Sequence, residues 1–161
     1  MGAGAVAAAD RATRRRHRRR KRDGKRQYVL VHPAAGTVSV AIIVIVEDQP
    51  DNLKLLTTLL TIKGHQVVGL PNGDRLTDVL RTHQPTPDLV LLDIQLPGRD
   101  GYALLEELKG LPERSWKVVA LTAHALPEDR TRASAAGFDG YITKPVDVRT
   151  FPAEVARYLG G

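Results

Sequence analysis

The chain has 161 residues, no cysteine and a formal net charge of +6 at pH 7. That length suits one domain of ordinary size, and the missing cysteine excludes a disulfide framework and any thiolate metal centre. The longest apolar run, Val40–Val46, is far too short to cross a bilayer, and the apolar start precedes its charges, the reverse of a secretory signal; the protein is expected in the cytoplasm with no membrane partner.

The charge is uneven. Residues 1–40 carry 11 Lys or Arg and 2 Asp, a net of +9, while residues 41–161 carry a net of −3. Arg11 to Arg26 is dense in like charge and lacks apolar periodicity, so residues 1–40 are expected to be a disordered basic tail. Three readings stay open for it. It is an arm for nucleic acid or anionic lipid, a solvated tail without a role, or sequence upstream of the native start. The last follows because Met1 is the only methionine, and Val38 or Val40 lies just ahead of the first strand. Nucleic acid is a partner only if the tail is native.

From residue 41 a regular alternation begins. Ala41 to Val46 is β-branched and apolar, which predicts a buried strand ending on Glu47-Asp48. Pro50 opens a helix whose apolar face is Leu53, Leu56, Leu59, Leu60 and Ile62, and Gly64 ends it. Gln66 to Leu70 is a second strand. Asn72 is placed to cap a helix running to about His83, with Leu76, Val79 and Leu80 inward. After Pro85 and Pro87 comes Leu89-Val90-Leu91-Leu92-Asp93, a short apolar run that suits a strand buried on both faces. A helix over Gly101 to Lys109 follows the Pro97-Gly98 break. Lys117 to Leu121 is a fourth strand followed by Thr122, and Glu128 to Ala136 a helix ended by Gly137. Phe138 to Thr143 contains a fifth strand before Lys144-Pro145. The last helix starts near Thr150, with Val155, Tyr158 and Leu159 inward. Five strands each followed by a helix imply an α/β fold, a parallel sheet wrapped on both faces. Right-handed crossovers favour the flavodoxin-like doubly wound (βα)5 arrangement with strand order 2-1-3-4-5.

Open α/β sheets do their chemistry at the carboxyl ends of the strands. In that order the neighbouring ends carry Glu47-Asp48, Asp93, Thr122 and Lys144. Taken singly, each has a plain explanation: a helix cap, a turn residue, a solvated charge. Together they describe a site. Carboxylates crowded within about 4 Å repel by roughly 4 kcal/mol per pair at an effective dielectric near 20, so they need a cation. Hard oxygen ligands with open positions suit Mg2+, with Mn2+ as a substitute, and the Gln95 backbone carbonyl is a further oxygen donor. Lys144 adds a fixed positive charge and Thr122 a hydroxyl. Such a site is equipped for phosphoryl transfer to Asp93, which runs on positioning and charge neutralisation.

On these residues the stretch 41–161 resembles a response-regulator receiver domain of two-component signalling, CheY-like and stand-alone. The matching residues are Glu47-Asp48, Asp93 with Leu96-Pro97-Gly98 and Asp100-Gly101, Thr122-Ala123 and Lys144-Pro145. Tyr141, three residues before the lysine, stands where the family carries its switch aromatic. The resemblance implies that Asp93 is phosphorylated by the phosphohistidine of a sensor histidine kinase or a histidine phosphotransfer protein. Mg2+ would be held by Glu47, Asp48, Asp93 and the Gln95 carbonyl. Thr122 and Lys144 would hold the phosphoryl oxygens, and Thr122 and Tyr141 would pass the change to a downstream protein target. It also implies a cis Lys144-Pro145 bond. Ile94 and Leu96 replace the methionines frequent after the phosphorylated Asp. Gln95 and His124 hold family positions that vary and tune phosphoryl lifetime.

The rival reading from the residues is a phosphohydrolase with an aspartyl nucleophile. Such enzymes place a second Asp two residues on, where this chain has Gln95. The protein is therefore expected to be a phosphoacceptor that assists its own phosphorylation and dephosphorylation, not an enzyme of outside substrates. His17, His32, His65, His83 and His124 lack ligand spacing and are expected at the surface. Asp100 is expected to be a turn residue.

Overall fold

The β-branched and aliphatic run Ile42–Val46 forms β1, buried along its whole length. The structure is a computed structural model that describes residues 39–112 and 114–160. The expectations for the tail, and for His17 and His32, lie outside the described residues. After β1 come α1 (Pro50–Ile62), β2 (Gln66–Leu70), α2 (Leu76–Thr82), β3 (Leu89–Asp93) and α3 (Gly101–Lys109). Then follow β4 (Lys117–Thr122), α4 (Pro127–Ala136), β5 (Gly140–Thr143) and α5 (Phe151–Leu159). All strand pairs are parallel and the order is β2-β1-β3-β4-β5, the flavodoxin-like arrangement expected.

Successive side chains of a strand point to opposite faces, so each central strand feeds two cores. Val44, Val46, Val90, Leu92, Val118 and Ala120 meet α2, α3 and α4 on one face through Leu76, Leu80, Leu104, Leu105 and Ala133. Ile43, Ile45, Leu89, Leu91, Val119 and Leu121 meet α1 and α5 on the other through Leu56, Leu60, Phe151 and Val155. Burying both faces is why β3 reads as an unbroken apolar run. No helix among the described residues is long and apolar enough to cross a membrane.

Several local expectations need correction. α2 begins at Leu76, not after Asn72; the Asn72 side chain instead accepts from Asp74 N at 3.1 Å, closing a turn of its own. Ile62 is 75% exposed, because two residues on from the buried Leu60 it faces the opposite side of α1. Thr150 stands at the start of α5, but its hydroxyl donates to Glu154 Oε1 at 2.8 Å and caps no backbone N–H. The Lys144-Pro145 bond is cis as expected; Gln84-Pro85 is cis too, which the sequence did not signal.

His65 is the sharpest departure: it is buried, and its Nδ1 accepts from Ala41 N at 3.3 Å. It joins the start of β2 to the residue before β1, at the edge opposite Asp93. Burial pushes the imidazole below the ordinary histidine value, against the opposing pull of the Asp88 carboxylate. A histidine held neutral when folded binds fewer protons than when unfolded. Its contribution is therefore complete above about pH 6.5 and is lost as pH falls through its lowered folded value. The stability gap between wild type and His65→Gln in urea melts should narrow as the pH is taken from 7.5 to 5.5.

Candidate functional site

Parallel pairing brings every strand's carboxyl end to one edge. Val46 pairs with Leu92, Asp93 with Leu121, and Thr122 with Thr143, so Glu47, Asp93, Thr122 and Lys144 follow one another across four adjacent strands. Asp93 is the last residue of β3 and 1% exposed, Glu47 follows β1 at 0%, and Thr122 closes β4. Asp48 is half-buried beside them. Glu47, Asp48 and Asp93 each present a carboxylate oxygen within 4.8 Å of the others.

Two buried carboxylates need compensation, and Lys144 supplies it. Its ammonium donates to Asp93 Oδ2 at 2.6 Å and to Glu47 Oε2 at 3.1 Å. Burial pulls the ammonium's pKa down, but the hydrogen bonds to Asp93 and Glu47 and their charge outweigh it, holding the group above the ordinary lysine value. Backbone amides fix the other oxygens: Gln95 N donates to Asp93 Oδ1 at 2.8 Å, and Gln49 N to Glu47 Oε1 at 3.2 Å. Among the described residues Asp48 takes only the Gln49 side-chain amide, at 3.3 Å. Each carboxylate accepts up to about four hydrogen bonds, so all three keep unused lone pairs. No hydrogen bond among the described residues takes the Gln95 backbone carbonyl. This all-oxygen donor set, with one partly exposed member, fits a hard divalent cation.

Among the described residues, neither Thr122 nor Tyr141 makes a hydrogen bond to the carboxylates. The Thr122 hydroxyl accepts from His124 N at 3.0 Å, within its own loop. Tyr141 is half-buried on β5. Above the site the Gln95 side-chain amide meets His124 Nε2 at 2.8 Å, tying the β3–α3 loop to the β4–α4 loop. Sequence reading did not foresee this tie, since the two residues lie 29 positions apart. A cavity of about 260 Å3 opens beside Glu47 and Lys144, walled by Leu55, Leu56, Pro145 and Val146. A larger one of about 640 Å3, at Arg81 and Trp116, belongs to the opposite edge and holds none of these groups.

A second feature missed in the sequence is Gly101, the first residue of α3. Its N–H donates to Ile94 O at 2.9 Å, and a Cβ there would lie 2.6 Å from Asp93 O and 2.7 Å from Ile94 Cα. Only glycine lets α3 start this close to the Asp93 backbone. Asp100 caps the helix, accepting from Tyr102 N at 2.9 Å, and is a turn residue as expected.

Comparison with known proteins agrees with this geometry. The family model for the response regulator receiver domain matches residues 43–156. The polar-differentiation response regulator DivK of Brucella anthropi is 38% identical over 119 residues, covering 73% of this chain and 95% of that protein. Its Brucella ovis counterpart is 37% identical with the same coverage. Among solved structures, the receiver domain of a signal transduction histidine kinase from Syntrophus aciditrophicus superposes with a TM-score of 0.66 at 36% identity, over 76% of this chain and 92% of that one. A CheY-like receiver domain protein from Methanospirillum hungatei gives 0.65 at 29% identity, over 75% and 94%.

Proposed function

Because the chain belongs to the response regulator receiver domain family of two-component signalling, we propose that Asp93 accepts a phosphoryl group from a phosphohistidine. The donor is a sensor histidine kinase or a histidine phosphotransfer protein. The observation that carries this reading is the buried Asp93 carboxylate, held by Lys144 at 2.6 Å inside a three-carboxylate cluster at the strand edge.

Each residue has a part that its position supports. An Asp93 carboxylate oxygen attacks phosphorus. The phosphorus–nitrogen bond of the donor breaks, the imidazole leaves with the electron pair and takes up a proton, and a mixed anhydride forms on Asp93. The Gln95 N–H holds the second Asp93 oxygen, which fixes the direction of attack. Lys144, already charged and already facing Asp93, offsets the negative charge of the arriving phosphoryl group. Glu47, Asp48, Asp93 and the Gln95 carbonyl would hold Mg2+, which supplies neutralisation of the developing phosphoryl charge. Thr122 then exchanges its contact with His124 for a phosphoryl oxygen, and Tyr141 moves into the space it leaves. We assign residues 41–161 to the receiver and the cytoplasm as its compartment, with output through a downstream protein target. Where an aspartyl phosphohydrolase needs an acid there is Gln95, whose amide is taken by His124.

The test is direct. Incubated with a small phosphodonor such as acetyl phosphate and millimolar Mg2+, the protein should gain one phosphoryl group by intact mass. EDTA should cut the rate at least about tenfold. Equal labelling in EDTA would remove the cation from the reading.

A further inference from the structure

α4 buries fewer of its residues than any other helix among the described residues. It reads Pro-Glu-Asp-Arg-Thr-Arg-Ala-Ser-Ala-Ala, and its buried residue is Ala133, which covers little apolar area. Two arginine–tyrosine stacks join it to neighbouring elements. The Arg130 guanidinium carbon lies 4.8 Å from the centroid of the Tyr141 ring on β5. The Arg132 guanidinium carbon lies 4.6 Å from the Tyr102 ring on α3.

The two tyrosines are not equivalent. Tyr102 is fixed from a second side by Phe138, edge to face at 5.6 Å. Tyr141 has no such aromatic partner among the described residues. On β5 it pairs with Ala120, two residues before Thr122 on β4, and it lies three residues before Lys144. Thr122 is meanwhile held by the His124 backbone at 3.0 Å, within its own loop. Arg130 makes no ion pair among the described residues, leaving its charge available to the ring.

We propose that Arg130 is a positioning residue that holds Tyr141 in this resting place. This rests on the reading that Tyr141 and Thr122 respond to phosphorylation of Asp93. For the ring to withdraw toward Thr122 the stack on Arg130 must be given up, so the stack weights the equilibrium toward rest. A partly exposed stack of this kind is worth about a two- to five-fold change in an equilibrium. By reciprocity the same factor separates the affinities of wild type and variant for a phosphoryl mimic.

The experiment uses the full chain with labelled tyrosine rings, read by NMR with Mg2+ and with or without beryllofluoride as the mimic. In Arg130→Ala without beryllofluoride, the Tyr141 signals should move part-way toward their position in beryllofluoride-saturated wild type. The beryllofluoride needed for half-saturation should fall about two- to five-fold. Arg130→Lys, a poorer stacking cation, should move less. Arg132→Ala removes an equal stack from the same helix and should leave Tyr141 at its wild-type resting position. Tyr141 signals and affinity unchanged in Arg130→Ala would overturn the proposal. Equal movement in Arg132→Ala would overturn it too, by showing only a loosened helix. Wild type that ignores beryllofluoride would overturn the phosphoacceptor reading first, and this one with it.

Discussion

Asp93→Asn is expected to reduce phosphoryl labelling by a small phosphodonor to background while leaving the protein folded. The side chain keeps its size, and one amide oxygen still accepts from Gln95 N, as Asp93 Oδ1 does at 2.8 Å. What is lost is the charged oxygen that attacks phosphorus. The amide NH2 would also stand where Oδ2 now accepts from Lys144 at 2.6 Å, donor against donor. Lys144 keeps Glu47 at 3.1 Å, so the cluster retains one ion pair. Intact mass after incubation with acetyl phosphate and Mg2+ measures the effect, and circular dichroism confirms the fold. Continued labelling of the variant would place the nucleophile elsewhere.

Lys144→Met should be the most destabilising change at the site. It leaves Glu47 at 0% exposure and Asp93 at 1% without a cation between them. Removing one partner of a buried pair costs about 3–5 kcal/mol, mostly as the desolvation of the charge left behind. The Lys144 side chain is itself 18% exposed, so water reaches the cluster and the lower end of that range applies. A melting temperature lower by about 10 °C or more is expected. Millimolar Mg2+ should then raise the variant's melting temperature by more than it raises that of wild type, since a bound cation replaces the missing charge. Labelling at Asp93 should fall about tenfold or more. If Mg2+ stabilises the two proteins equally, the carboxylates do not share a cation site that Lys144 screens.

How much of this could be read from the residues depended on the range of the interaction. The strands were legible because burial on two faces leaves an unbroken aliphatic run, and β2 and α3 fall at the expected residues. The convergence of Glu47, Asp48, Asp93, Thr122 and Lys144 was legible because parallel pairing forces strand ends to one edge. Short-range competition hid other features. Asn72 has the chemistry of a helix cap, but its side chain closes a turn on Asp74 and the helix waits until Leu76. His65 gave no signal of burial, because its partner, the Ala41 N–H, is supplied by a segment 24 residues away. Ile62 was counted with the apolar face, yet it lies two residues past the buried Leu60 and so turns to the opposite side of the helix. The Gln95–His124 tie and the two arginine stacks depend on where loops and a polar helix come to rest, which no periodicity encodes.

The approach of Gly101 to Asp93 has a mechanical consequence. On one flank of the carboxylate cluster, α3 begins in backbone contact with residues 93 and 94, with no compressible side chain between them. That flank is a stiff wall: displacement of α3 would drag the nucleophile with it. On the other flank stands α4, anchored by one alanine and two arginines. That flank is compliant. If Asp93 is phosphorylated as proposed, the new charge would meet unequal resistance, with the β4–α4 side free to yield while the Asp93 backbone is held. On that reading, the direction of signalling would be set by which neighbour is able to yield.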